Sequence, residues 1–151
     1  MLNIGDKAPR FEGKNQDGKS ISLDDYTGKK LVLFFYPKDN TPGCTLEAQN
    51  LRDNYETLQS KGYEVLGVSG DDETSHQKFI CKHLLPFDLL ADTDKSVNEM
   101  YGVWQEKKNF GKTYMGTVRT TFIIDEKGQI EHIINKVKTK EHADQIFALE
   151  N

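Results

Sequence analysis

The hydrophobic positions of the chain fall into short runs whose spacing changes along the sequence. The clearest run is Leu31-Val32-Leu33-Phe34-Phe35-Tyr36, held between Lys29-Lys30 and Pro37. A continuous apolar stretch of this length predicts a strand buried on both faces. Tyr63–Ser69 has the same character and predicts a second buried strand. Between them, larger nonpolar side chains recur at Leu51, Tyr55 and Leu58, four and then three apart, with Leu46 and Ala48 extending the face toward the preceding loop. That spacing predicts a helix, with Gly62 as its stop. A second helix starts at Asp71-Asp72-Glu73, where acid suits the positive end of the helix dipole. It runs to about Leu84, with Pro86 just beyond. Phe87–Leu90 is a short strand. Asp92-Thr93-Asp94 opens a helix carrying Val97, Met100 and Tyr101, and Gly102 ends it. Thr117–Ile124 and Ile130–Ile134 are strands joined by Asp125-Glu126-Lys127-Gly128, a connection short enough for an antiparallel hairpin. A last helix covers about Lys140 to Leu149.

The remaining stretches are polar. Gln16-Asp17-Gly18-Lys19 predicts a tight turn between two short strands around Phe11 and Ile21–Leu23. Residues 105–116 hold Lys107, Lys108 and Lys112, with Gly102, Gly111 and Gly116 nearby or within, and predict an exposed loop. No repeat, low-complexity tract or linker interrupts the 151 residues, so one domain spanning 1–151 is expected. A polar N-terminal hairpin followed by β-α-β-α-β-α-β-β-α implies an α/β fold. Its central sheet is mixed, with helices on both faces.

Charge and composition narrow the function. Twenty Lys and Arg against 24 Asp and Glu leave a formal charge of −4, which offers no basic face for nucleic acid. No apolar run approaches the roughly 20 residues of a membrane span. Met1–Asp6 has neither the basic nor the apolar stretch of a signal peptide. The expectation is a cytoplasmic protein with neither nucleic acid nor membrane as partner. The two cysteines, Cys44 and Cys81, are too few for a disulfide scaffold or a four-cysteine zinc site. His76 and His83 share a helical face from which Cys81 points away, so no metal site is expected. The glycines form no dinucleotide or phosphate fingerprint, and no Cys-x-x-Cys occurs.

Cys44 sits where a buried strand has ended and a helix begins. Thr41 suits the N-cap and Pro42 the first helical position. Cys44 then lies in the first turn, where unpaired N–H groups and the dipole stabilise a thiolate. Gly43 leaves room for a close approach. Position alone is equally consistent with an inert, half-buried thiol.

Pro37, Thr41 and Cys44 also stand in the spacing Pro-x-x-x-Thr-x-x-Cys, which resembles the active-site motif of the peroxiredoxins. The wider series resembles their peroxiredoxin Q branch, also called bacterioferritin comigratory protein. It comprises Gly5–Pro9 with Phe11, Asp17-Gly18, Phe35–Lys38, Thr41–Thr45, Leu51–Asp53, Gly102–Trp104, Lys112–Tyr114 and Arg119. The resemblance covers essentially the whole chain and implies a thioredoxin-like fold, with which the element order is compatible. It implies a thiol-dependent peroxidase acting on hydrogen peroxide and organic hydroperoxides, needing no metal or organic cofactor. Cys44 would attack the terminal peroxide oxygen and become a sulfenic acid. The Thr41 hydroxyl and the N–H groups of Gly43 and Cys44 would donate to the developing charge. Arg119 would hold a permanent positive charge there, and Pro37 would shape the loop and shield the site. Thioredoxin or a glutaredoxin-like dithiol would recycle a monomeric enzyme. Each residue has a blander reading: Thr41 as a cap only, Arg119 as a solvent-facing charge on a strand, Arg52 as a surface charge.

The sequence departs from the branch at one position. Many members carry a resolving cysteine five residues after the peroxidatic one, where Gln49 stands here. Others place it on the helix after the second strand, where Cys81 lies. One residue of register there is a rotation of about 100°. Cys81 is expected, by resemblance, to resolve after both helices open locally, although such a rotation would turn its thiol away from the site. The alternative is a core thiol in a one-cysteine peroxidase or thiol-switch sensor. Tyr101, Trp104 and Phe110 are expected to cover either the site's edge or the core.

Overall fold

The structure is a computed structural model and describes residues 2–150. Its main sheet has seven strands in the order β2-β1-β5-β4-β3-β8-β9. These are β1 (Glu12–Asn15), β2 (Ser20–Ser22), β3 (Lys30–Phe35), β4 (Tyr63–Ser69), β5 (Asp88–Ala91), β8 (Thr120–Ile124) and β9 (Ile130–Ile134). β3 lies parallel to β4 and antiparallel to β8. β4 and β5 are parallel, and the N-terminal hairpin adds to β5 antiparallel. The sheet is therefore mixed, as the element order implies.

The unbroken apolar run of β3 reflects two cores, one per face, because successive side chains alternate. Val32, Phe34 and Tyr36 pack with α1 (Pro42–Asp53), α2 (Tyr55–Ser60), α3 (Glu73–His83) and α5 (His142–Ala148). Leu31, Leu33 and Phe35 face Ala8, Phe11, Leu23 and the short α4 (Ser96–Met100). Helices cover both faces, unequally. Each strand–helix–strand crossover of β3-α1-α2-β4 and β4-α3-β5 returns over the first face.

Several expectations are corrected. Phe11 precedes β1 and fills the second core. The helix expected to reach Gly62 breaks at Asn54, whose side-chain amide donates to the Asn50 carbonyl. Leu46 is exposed. Residues 105–116 are no loop: β6 (Trp104–Asn109) and β7 (Lys112–Thr117) form a separate two-stranded sheet. It turns at Phe110-Gly111, both with positive φ, as a tight two-residue hairpin requires. The strand expected over Thr117–Ile124 is interrupted at Val118-Arg119, because β7 and β8 belong to different sheets. That interruption lets Arg119 reach the first turn of α1.

Candidate active site

Thr41 is the N-cap of α1 with extended backbone, and Pro42 opens the helix. Cys44 follows in the first turn, whose N–H groups have no partner inside the helix. The buried face of α1 is Cys44, Glu47, Ala48 and Leu51, the i, i+3, i+4, i+7 stripe of a core-facing helix. Cys44 is 1% exposed.

Arg119 reaches this face from the β7–β8 connection. Its Nη2 donates to Cys44 Sγ at 3.2 Å and its Nη1 to Glu47 Oε1 at 2.6 Å. One rigid guanidinium fork thus serves two acceptors, which a lysine ammonium cannot reproduce. Burial opposes its charge, but Glu47 and Cys44 hold it on, so its pKa stands above the ordinary value. Gly43 is the opening through which the fork passes: a Cβ there would lie 3.2 Å from Arg119 Nη2. The solvent-facing reading of Arg119 is thereby excluded.

Glu47 is a site residue that the sequence reading missed. Its signal was its position three residues after Cys44, on the same helical face. It is fully buried, and desolvation outweighs the pull of Arg119, raising its pKa from 4.5 to about 7. Its Oε2 has no hydrogen-bond partner among the described residues. His142 Nε2 lies 3.5 Å from that oxygen.

The Thr41 hydroxyl does not cap α1. It donates to the Lys38 carbonyl at 2.8 Å, so in this geometry its oxygen is free to accept rather than to donate. Pro37 is exposed and lines a cleft with Lys38, Gly70, Asp71, Lys95 and the β6–β7 hairpin. That cleft's lining includes none of Thr41, Cys44 or Arg119. The loop between Pro37 and Thr41 is held from beneath by Asp39, also missed from sequence. Its carboxylate accepts from the Tyr36 hydroxyl at 2.6 Å and the Ser75 hydroxyl at 2.8 Å, and lies 2.7 Å from His76 Nδ1. Its N–H donates to Asp71. Asp39, Asp71 and His76 bring their polar atoms within 4.8 Å of one another, but those atoms are already committed to protein partners, including His76 Nε2 at 3.0 Å from the Leu90 carbonyl.

Cys81 is exposed on α3, and both thiols are free. The core-thiol alternative is therefore corrected: Phe79 and His76 take the buried face of α3. Arg52 is no idle surface charge. Its Nη1 donates to the His83 carbonyl at 2.7 Å, clasping the last turn of α3 to α1. Gln49 lies 3.4 Å from the His83 ring. Tyr101 belongs to the second core, Trp104 is half-buried beneath the Lys95 ammonium, and Phe110 is 96% exposed at the hairpin tip.

A thiol in the first turn of a helix, with a fixed cation on its sulfur, suits nucleophilic chemistry with a developing anion. The comparisons agree with that geometry. The profile of the AhpC/TSA family matches residues 4–133. The chain belongs to this family, in its peroxiredoxin Q branch. It is 48% identical over 141 residues to peroxiredoxin Bcp of Bacillus subtilis, covering 93% of this chain and 90% of that one. A mutant of Xylella fastidiosa PrxQ superposes with a TM-score of 0.91 at 32% identity, over 98% of this chain and 94% of that one. The Xanthomonas campestris bacterioferritin comigratory protein, solved in work on its alkyl peroxide reduction, superposes at 0.86 and 34% identity, over 93% and 90%. This peroxiredoxin is a thiol peroxidase with a thioredoxin-like fold, a peroxide-reducing oxidoreductase that draws on a thiol reductant. No helix among the described residues is long and apolar enough to cross a membrane.

Proposed function

We propose that Cys44 is the peroxidatic cysteine, and that the 3.2 Å contact between Arg119 Nη2 and its sulfur carries this reading. The Cys44 thiolate attacks the terminal oxygen of hydrogen peroxide or an organic hydroperoxide. The S–O bond forms as the O–O bond breaks. The leaving oxygen takes a proton and departs as water or alcohol, and Cys44 is left as a sulfenic acid. Arg119 and the N–H groups of the first turn of α1 stabilise the charge moving onto the leaving oxygen. Thr41 orients the peroxide by accepting its O–H, because its own hydrogen is committed to Lys38. Pro37 ends the β3 run and sets the loop's direction. No metal or organic cofactor enters these steps.

Cys81 is the resolving cysteine in this reading. Its sulfur attacks the sulfenic sulfur, a disulfide forms and water leaves. Thioredoxin or a glutaredoxin-like dithiol then reduces the disulfide. A disulfide requires Cα atoms within about 7 Å, and here one thiol is buried while the other faces solvent. The first turn of α1 and the last turn of α3 therefore open during the cycle, releasing the Arg52–His83 clasp. Exposure of Cys81 favours access by a protein reductant. Residues 1–151 act as one domain, as a monomer in the cytoplasm.

The test is the intact mass after one equivalent of hydrogen peroxide, with the remaining thiols alkylated after unfolding. Loss of two hydrogens with no alkylation is expected, and Cys44→Ser abolishes turnover. Oxygen on Cys44 with Cys81 still alkylated would replace resolution by a one-cysteine cycle. Both thiols remaining reduced while peroxide persists would overturn the assignment of Cys44.

A further inference from the structure

Glu47 Oε2 is the one buried side-chain oxygen without a hydrogen-bond partner among the described residues, and it faces a buried histidine. His142 is fully buried at the start of α5. α5 is docked on α1 by Asn50, whose amide donates to the Lys140 carbonyl and whose Oδ1 accepts from the Ala143 N–H. The imidazole is oriented from its far side. Gln145 donates through Nε2 to the Lys136 carbonyl and accepts the Lys138 N–H at Oε1, which fixes its amide. His142 Nδ1 lies 2.9 Å from that Oε1, so Nδ1 carries the hydrogen. A neutral ring then presents a lone pair at Nε2. In the structure that lone pair meets the Thr121 hydroxyl at 2.8 Å, and Glu47 Oε2, a second donor once protonated, lies 3.5 Å from the same nitrogen.

We propose that His142 is a positioning residue for peroxide reduction: its Nε2 lone pair holds the proton of Glu47 and so governs how much of Arg119's charge serves Cys44. The two states differ in one hydrogen bond. With Glu47 protonated, Oε2–H donates to Nε2, Oε1 still accepts from Arg119, and the guanidinium has one anion to serve, the thiolate. With Glu47 ionised, Thr121 supplies the donor to Nε2, and carboxylate and thiolate share a single cation. The groups that face this pair are Cys44 on α1, Arg119 on the β7–β8 connection, Thr121 on β8 and Gln145 on α5. Burial above all, with a smaller push from Arg119, outweighs the Gln145 hydrogen bond that favours a positive imidazole, and the His142 pKa is pushed down to about 4. The proton therefore belongs to Glu47 rather than to the ring, and the ring acts as an acceptor. This inference rests on the reading of Cys44 as peroxidatic.

The test is single-turnover oxidation of Cys44 by hydrogen peroxide across pH, which needs neither Cys81 nor a reductant. It is paired with infrared titration of the buried carboxyl, assigned by loss of its band in E47Q. His142→Phe keeps the ring's bulk and removes the acceptor, and His142→Gln returns a polar atom near Nε2. The expected result is a carboxyl that titrates about one pH unit lower in H142F, a tenfold change in its proton equilibrium. The oxidation rate at neutral pH falls about fivefold with it, and H142Q recovers most of the loss. An unmoved carboxyl band in H142F would overturn the proposal, as would equal losses in H142F and H142Q with the pH profile unchanged. If instead Cys44 in the unaltered protein does not react with peroxide, the underlying reading has failed rather than the role of His142.

Discussion

Two carboxylates are buried on either side of Cys44, and the fold treats them in opposite ways. Asp39, in the loop before the helix, is met by the Tyr36 and Ser75 hydroxyls and by His76. Glu47, one turn into the helix, has Arg119 on one oxygen and, among the described residues, no hydrogen bond on the other. A well-supplied anion is costly to disturb and holds structure in place. An undersupplied one gains proton affinity until its proton can come and go near neutral pH, as the Glu47 value of about 7 reflects. Burial alone therefore does not separate scaffold from chemistry. The count of donors does.

The sharpest way to break this contrast is Asp39→Ala. It strands two hydroxyls and an imidazole at once, and should cost about 3–5 kcal/mol in urea unfolding. The loop carrying Thr41 should loosen with it, read as faster amide exchange. Glu47→Gln should behave in the opposite sense. A carboxyl whose folded pKa is raised from 4.5 to about 7 contributes stability that is present below 4.5 and lost as pH rises through 7. Comparing urea midpoints in mild acid and mild alkali, the unaltered protein should lose up to about 3 kcal/mol that the Gln variant does not lose. An identical slope in both proteins would remove Glu47 as the titrating group. The smallest effect belongs to Gly43→Ala. Its methyl would press on Arg119 Nη2 at 3.2 Å and shift the fork by a few tenths of an ångström. Single-turnover oxidation should slow by roughly threefold to tenfold with stability nearly unchanged.

The same contrast explains what was legible in the sequence. β3 and β4 could be read because both their faces are buried, which leaves a continuous apolar run. The β6–β7 hairpin could not, since residues such as Gln105, Glu106, Lys108 and Thr113 leave it without a buried face, and periodicity had nothing to report. Cys44 and Thr41 were visible through helix-start chemistry. Arg119 was visible only through resemblance, because a two-residue interruption between strands has no pattern of its own. Glu47, Asp39 and His142 escaped because a buried charged residue contradicts the rule by which cores are recognised. What buries them is a partner distant in the chain: Arg119 is 72 residues from Glu47.

The opposite exposure of the two thiols has a consequence for chemical labelling. Cys44, held at 1% exposure, admits a molecule the size of hydrogen peroxide far more readily than a bulky maleimide. Cys81 stands open on its helix and meets any reagent that diffuses past. In the folded protein the order in which large labels attach therefore reports reach, not nucleophilicity. On the proposed reading of Cys44 as peroxidatic, the thiol that labels first is not the one that peroxide attacks.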